Sequence, residues 1–100
     1  MLTQQNILSY LKSNRTFFYE QFNIIKIGIF GSYARNEQTE NSDIDILIEM
    51  QPETEDIFEK RQKLKEFLNQ HFSKQVDVCH ERAIKPIFRE MILKEAIYVQ

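Results

Sequence analysis

A chain of 100 residues, 42% hydrophobic and with eight Phe, is long enough for one domain, residues 1–100, built on one modest core. Its net charge of −2 argues against a binder of long nucleic acid, which is normally basic, and the single Cys79 excludes an internal disulfide and fits a reducing compartment. No apolar run approaches the roughly 18 residues of a membrane span, and Met1 to Gln5 lacks the basic-then-apolar order of a signal peptide, so a cytoplasmic protein without a membrane partner is expected.

Residues 3–22 read as helix. Ile7, Leu8, Leu11, Phe18 and Phe22 share one face, with a break expected near Asn14. Residues 24–30 read as a strand whose alternating Ile25, Ile27 and Ile29 face the core. Gly31-Ser32 ends that strand and opens a short helix to Arg35. Residues 36–42 are polar and read as a loop. Residues 43–50 form a second strand, with Ile44, Ile46 and Ile48 on one face and Asp43, Asp45 and Leu47 on the other.

Pro52, Glu53, Glu55 and Asp56 announce a helix through about residue 73, striped by Ile57, Phe58, Leu64, Phe67, Leu68 and Phe72. Residues 75–79 are a short third strand carrying Asp77. Pro86 suits the first turn of a last helix, with Ile87, Phe88, Met91 and Ile92 as its apolar side. Ile97-Tyr98-Val99 can add an edge strand. The order predicts an α/β fold, a small mixed sheet with helices packed mainly on one side.

The chemistry concentrates in Gly31-Ser32, Asp43-Ile44-Asp45 and Val76-Asp77-Val78. Carboxylates at i and i+2 on a strand share a face, roughly 6.5–7 Å apart at Cα. Two-metal sites hold their ions ~3.5–4 Å apart, a separation that one carboxylate can bridge. Magnesium favours a few carboxylates, waters and substrate phosphates over a full protein cage. Asp77, from a neighbouring strand, completes the set; read alone, it is an edge residue facing water. Gly31 permits close backbone approach to a ligand, and the Ser32 hydroxyl can donate to a phosphate oxygen. The turn is not a Walker A loop, because it has no second Gly and no Gly-Lys-Ser/Thr. Arg35, one turn on, can pair with phosphate or with the carboxylates, or stand in solvent. Ser42 either caps the loop or touches phosphate. His71 and His80 have no partner at metal-ligand spacing and read as surface or interface residues. Cys79 reads as a small buried side chain.

These motifs resemble the minimal nucleotidyltransferases, the MNT group of the DNA polymerase β-like superfamily. Their pattern is an apolar strand, Gly-Ser-x-x-Arg-Gly, a loop and Ser-Asp-x-Asp-apolar. It stands here as Ile29-Phe30-Gly31-Ser32-Tyr33-Ala34-Arg35-Asn36 and Ser42-Asp43-Ile44-Asp45-Ile46-Leu47-Ile48. A later Val-Asp strand matches Val76-Asp77-Val78, and the segment Ile92 to Val99 is similar to the family's ending. Asn36 replaces the usual Gly, and Asn tolerates a left-handed backbone.

The resemblance implies a nucleotide site at Gly31, Ser32, Arg35 and Ser42. It implies two Mg2+ held by Asp43, Asp45 and Asp77, with ATP as substrate and the three acids as the catalytic set. It further implies AMP transfer to a hydroxyl, with a HEPN-domain toxin and its tyrosine as partner and acceptor, the chain acting as antitoxin. A non-catalytic module that neutralises its partner by contact alone is the alternative. A small-molecule transferase is a weaker third, since an acceptor domain finds no room. The assembly is left open, a homo-oligomer included.

Overall fold

The computed structural model describes all 100 residues. Helices α1 (Gln4–Ser13) and α2 (Arg15–Phe22) are split at Asn14, as the interrupted stripe predicts. Thr3 and Asn6 form a capping box that starts α1, each side chain accepting from the other residue's backbone N–H. Asn23 ends α2 in the left-handed region, and the chain enters β1 (Ile24–Phe30). The short helix α3 (Gly31–Ala34) follows, then β2 (Ile44–Met50), α4 (Ile57–Phe72) and β3 (Val76–His80). A 3-10 turn at Glu81–Ala83 leads to α5 (Pro86–Glu95), with Pro86 in its first turn, and to β4 (Ile97–Tyr98).

The sheet order is β3-β2-β1-β4. β2 pairs antiparallel with β1 and parallel with β3, and β4 pairs antiparallel with β1, so the sheet is mixed. One cluster of 15 buried residues joins α1, α2 and α4 to the sheet. Ile7, Leu11 and Phe18 meet Ile27, Ile29, Ile44, Ile46 and Ile48, with Leu64 and Leu68 from α4. Gly28 is required where β4 closes on β1. A Cβ there would collide with the backbone carbonyl of Ile97 and lie 2.7 Å from the Cα of Tyr98.

Four expectations need correction. Ile25 is 47% exposed, while Ile24 is buried. A β-bulge between Ile24 and Lys26 shifts the register, so that Ile24 and Ile27 both turn inward. Ile57 and Phe58 do not join the core. With Arg61, His80, Arg82 and Ala83 they line an open pocket of about 410 Å3. The apolar side of α5 is outward: Ile87 is 82% exposed, and Phe88 and Met91 are exposed as well. Polar tethers set that rotation. Arg89 donates to the Glu81 carbonyl at 2.8 Å, and Glu95 holds Arg35, leaving Ile92 and Leu93 as the half-buried positions. Finally, His80 is buried at 6% exposure. Burial foremost holds its pKa below the usual imidazole value, and its ring meets the backbone N–H groups of Met50 and Arg82. His71 is exposed and stacks on Tyr10, with ring centroids 3.7 Å apart.

Candidate functional site

Strand register gathers the sequence motifs at one end of the sheet. Phe30, the last residue of β1, pairs with Asp45 of β2, and Asp45 pairs in turn with Asp77 of β3. Asp43 lies one residue before β2 and is exposed. The parallel β2–β3 pairing is what brings Asp77 to Asp45 across 32 positions of sequence. An antiparallel pairing would reverse β3 and carry Asp77 out of that register.

Gly31 is shaped by this junction. Its φ is +75°, in the left-handed region, and a Cβ would collide with the Asp45 carboxylate, lying 3.0 Å from its Cγ. The backbone turn and Asp45 are therefore in direct contact, and only glycine meets both conditions. Two carbonyls at the end of α3, those of Tyr33 and Ala34, each accept from the Gln4 side-chain amide at 3.0 Å, which ties the turn to α1. Asn36 takes φ +61° in place of the family's Gly, as its side chain allows.

The electrostatics mark Asp45. Burial, then the neighbouring charges of Asp77, Asp43 and Glu95, push its carboxyl from 3.8 up to about 6, with Arg35 opposing. A half-buried acid beside other acids is what a bound cation relieves. The side chains are not gathered around a common centre, however. No group of three or more His, Cys, Asp or Glu is close enough to hold an ion. The Asp77 side chain is 54% exposed and faces Lys65 Nζ at 4.0 Å. By donor chemistry and strand placement, Asp43, Asp45 and Asp77 are the residues that would hold a divalent ion.

The remaining expected site residues are placed as follows. Ser32 is the second residue of α3, half-buried beside Gly31. Arg35 faces neither Asp43 nor Asp45: its Nε lies 2.9 Å from Glu37 and its Nη1 is 3.2 and 3.1 Å from the two oxygens of Glu95. Ser42 caps the loop, accepting from the Thr39 N–H at 2.8 Å. Lys74 pins the same loop through the Glu40 carbonyl at 2.8 Å. Cys79 is half-buried, and burial raises its thiol pKa.

Glu95 is the residue that sequence reasoning missed. Its carboxylate accepts a hydrogen bond from the Gly31 N–H while pairing with Arg35. One signal was available. An acid in the last turn of a helix opposes the helix dipole, so Glu95 needed a partner outside α5.

Comparison with known proteins gives a consistent assignment. The family profile described as "Nucleotidyltransferase domain" matches residues 11–99. A Methanocaldococcus jannaschii protein, provisionally named a protein adenylyltransferase, is 41% identical over 100 residues, covering 99% of this chain and 100% of the relative. The protein adenylyltransferase MntA of Thermococcus cleftensis is 34% identical over 99 residues, covering 99% of this chain and 98% of the relative. A solved structure provisionally described as a minimal nucleotidyltransferase superposes with a TM-score of 0.78 at 26% identity, covering 96% and 95% of the two chains. A chain from the complex of a tri-AMPylated Shewanella oneidensis HEPN toxin with an MNT antitoxin shares the fold, with a TM-score of 0.67 at 18% identity, covering 98% and 72%.

Proposed function

The chain belongs to the nucleotidyltransferase domain family, in its minimal group, and from that premise we propose that it transfers AMP from ATP to a tyrosine hydroxyl of a HEPN-domain toxin and acts as that toxin's antitoxin. The family implies a nucleoside triphosphate substrate and, in general, a divalent metal. One observation carries the site assignment: the Gly31 turn is built against Asp45, and Asp45 stands beside Asp77. The names of the two relatives support a protein acceptor. The toxin–antitoxin complex supports a HEPN partner.

In this reading the triphosphate lies along Gly31, Ser32 and Arg35, with Ser42 shaping the entry loop. Asp43, Asp45 and Asp77 hold the metal, two Mg2+ in full. Bound there, magnesium supplies charge neutralisation to the phosphates. Asp77, whose side chain is 54% exposed, receives the proton of the attacking hydroxyl. The acceptor oxygen bonds to the α-phosphorus as the bond to the β-phosphate oxygen breaks, and pyrophosphate leaves with that electron pair. Positioning and charge neutralisation supply the rate.

Two expected results follow from the site. Ser32→Ala weakens MgATP binding roughly tenfold or more and leaves AMP binding nearly unchanged. The lost bond is charge-assisted and worth about 1.5–3 kcal/mol. Titration calorimetry with ATP, ADP and AMP reads this, and a uniform loss across the three would move Ser32 away from the outer phosphates.

The second result concerns the acceptor. Mixed with MgATP and a HEPN-domain toxin, the wild type adds the mass of AMP to that partner, and Asp43→Asn does not. Mass spectrometry with peptide mapping identifies the modified residue. Neutralisation of the partner that persists in Asp43→Asn and Asp77→Asn, with no added mass, supports the contact-only module instead. The exposed stripe of Ile87, Phe88 and Met91 on α5 is the surface such a module would use.

A further inference from the structure

The last helix delivers a carboxylate to the turn that the proposed function assigns to phosphate. Glu95 closes α5, and its side chain is only 16% exposed. It accepts from the Gly31 N–H and takes Arg35 Nη1 on both oxygens, at 3.2 and 3.1 Å. A phosphate oxygen pair would make the same contacts: one backbone N–H and one guanidinium. The helix itself does not favour an acid at this end. Asp45 crowds the other side of Gly31, and its own carboxyl feels the Glu95 charge as repulsion. Glu95 is thus held by Gly31 and Arg35 against two unfavourable fields.

We propose that Glu95 is an internal occupant of the outer-phosphate seat, holding the Gly31 N–H and the Arg35 guanidinium until the nucleotide's phosphates displace it. The inference rests on the assignment of that turn to the triphosphate. Its consequence is selectivity. A ligand gains the seat only by bringing phosphate charge to Gly31 and Arg35, so MgATP competes with Glu95 and AMP does not. Glu95 also links nucleotide binding to α5, because its release frees the last turn of that helix from Arg35. The exposed stripe of Ile87, Phe88 and Met91 lies on the same helix, so a partner seated on α5 would feel whether the seat is occupied.

The test compares wild type with Glu95→Gln, Glu95→Ala and Glu37→Gln. Glu37 pairs with Arg35 at 2.9 Å without touching Gly31, and it controls for the general loss of a negative charge. Glu95→Gln is expected to tighten MgATP binding by about tenfold, the factor for a seat internally occupied about nine-tenths of the time. Glu95→Ala tightens it at least as much, and Glu37→Gln changes it less than about twofold. AMP affinity stays constant throughout.

A second readout uses the two glycines. With only Gly28 and Gly31 in the chain, the Gly31 amide is readily identified in a proton–nitrogen correlation spectrum. It moves upfield in ligand-free Glu95→Gln, and saturation with MgATP brings wild type and variant to one position. Glu95→Gln binding MgATP no more tightly than wild type, or an unmoved Gly31 amide, overturns the inference while leaving the nucleotide site standing. Failure of wild type and all variants to bind MgATP removes both the inference and the reading beneath it. A merely structural Glu95 would lower the melting temperature and weaken MgATP binding, which also overturns it.

Discussion

Asp45→Asn is expected to lower MgATP-dependent transfer on the order of 10³-fold while raising the melting temperature of the metal-free protein at about pH 8. The two effects have one cause. The carboxylate sits half-buried against Gly31 with Asp77, Asp43 and Glu95 nearby, and its carboxyl is pushed from 3.8 up to about 6. The native carboxyl therefore holds its proton more tightly than the unfolded chain does. Wild-type stability falls as pH rises from about 4 through 6, and the loss is complete above the native value.

At about 1.4 kcal/mol per tenfold change in proton affinity, that displacement amounts to ~3 kcal/mol. Solvent access to one side of the group reduces it to ~1–2 kcal/mol. Asparagine keeps the shape and carries no charge, so the variant gains that amount above about pH 6. For a domain of this length the gain is a rise of roughly 5–15 °C. Below about pH 4 the carboxyl is protonated in both states, and the difference disappears. Thermal melts in a chelator across that range check the sign. Added MgATP stabilises the wild type and not the variant; equal stabilisation of both would remove Asp45 from the metal site.

Gly31→Ala is expected to do the opposite to stability and the same to function. A left-handed φ of +75° costs a non-glycine residue about 1–2 kcal/mol. The new methyl also meets the Asp45 carboxylate, 3.0 Å from Cγ, and must push it or the β2 start aside. Together these cost ~2–4 kcal/mol, a fall of roughly 10–20 °C in melting temperature. MgATP binding is lost, because the turn and Asp45 move apart. The double variant Gly31→Ala with Asp45→Ala separates the two contributions. Removal of the carboxylate relieves the collision and leaves only the backbone cost. A double variant no more stable than Gly31→Ala alone would show that the collision is absent.

The residues of the candidate site divide by how far apart they lie in the chain. Gly31, Ser32 and Arg35 fall within one turn, and Asp43 and Asp45 share one strand start, so contiguous sequence carried both groups. Asn36 stands where the resembled family has Gly, a place whose left-handed backbone Asn tolerates, and it adopts that conformation. Arg35 was placed on the correct helix end, but its partners Glu37 and Glu95 were not foreseen. Ser42 makes the loop cap on Thr39, one of the two roles open to it and a contact within three residues that loop geometry decides.

Sequence alone determined the element order, because strand and helix periods are local and each repeats within a few residues. Alternating isoleucines marked β1 and β2, the Asn14 break divided α1 from α2, and Pro86 opened α5. Tertiary structure decided the rest. The bulge at Ile25 exchanged its face with Ile24, since register belongs to a pair of strands and not to either one. Parallel pairing with β2 brought Asp77 to Asp45. The rotation of α5 was set by Arg89 on Glu81 and by Glu95 on Gly31 and Arg35, against the direction its apolar stripe implied. A stripe records which face of a helix can be buried. Which face is buried depends on the partners that the fold supplies, and for α5 those partners are the Glu81 carbonyl, 8 residues away, and the Arg35 guanidinium and Gly31 N–H, 60 and 64 residues away.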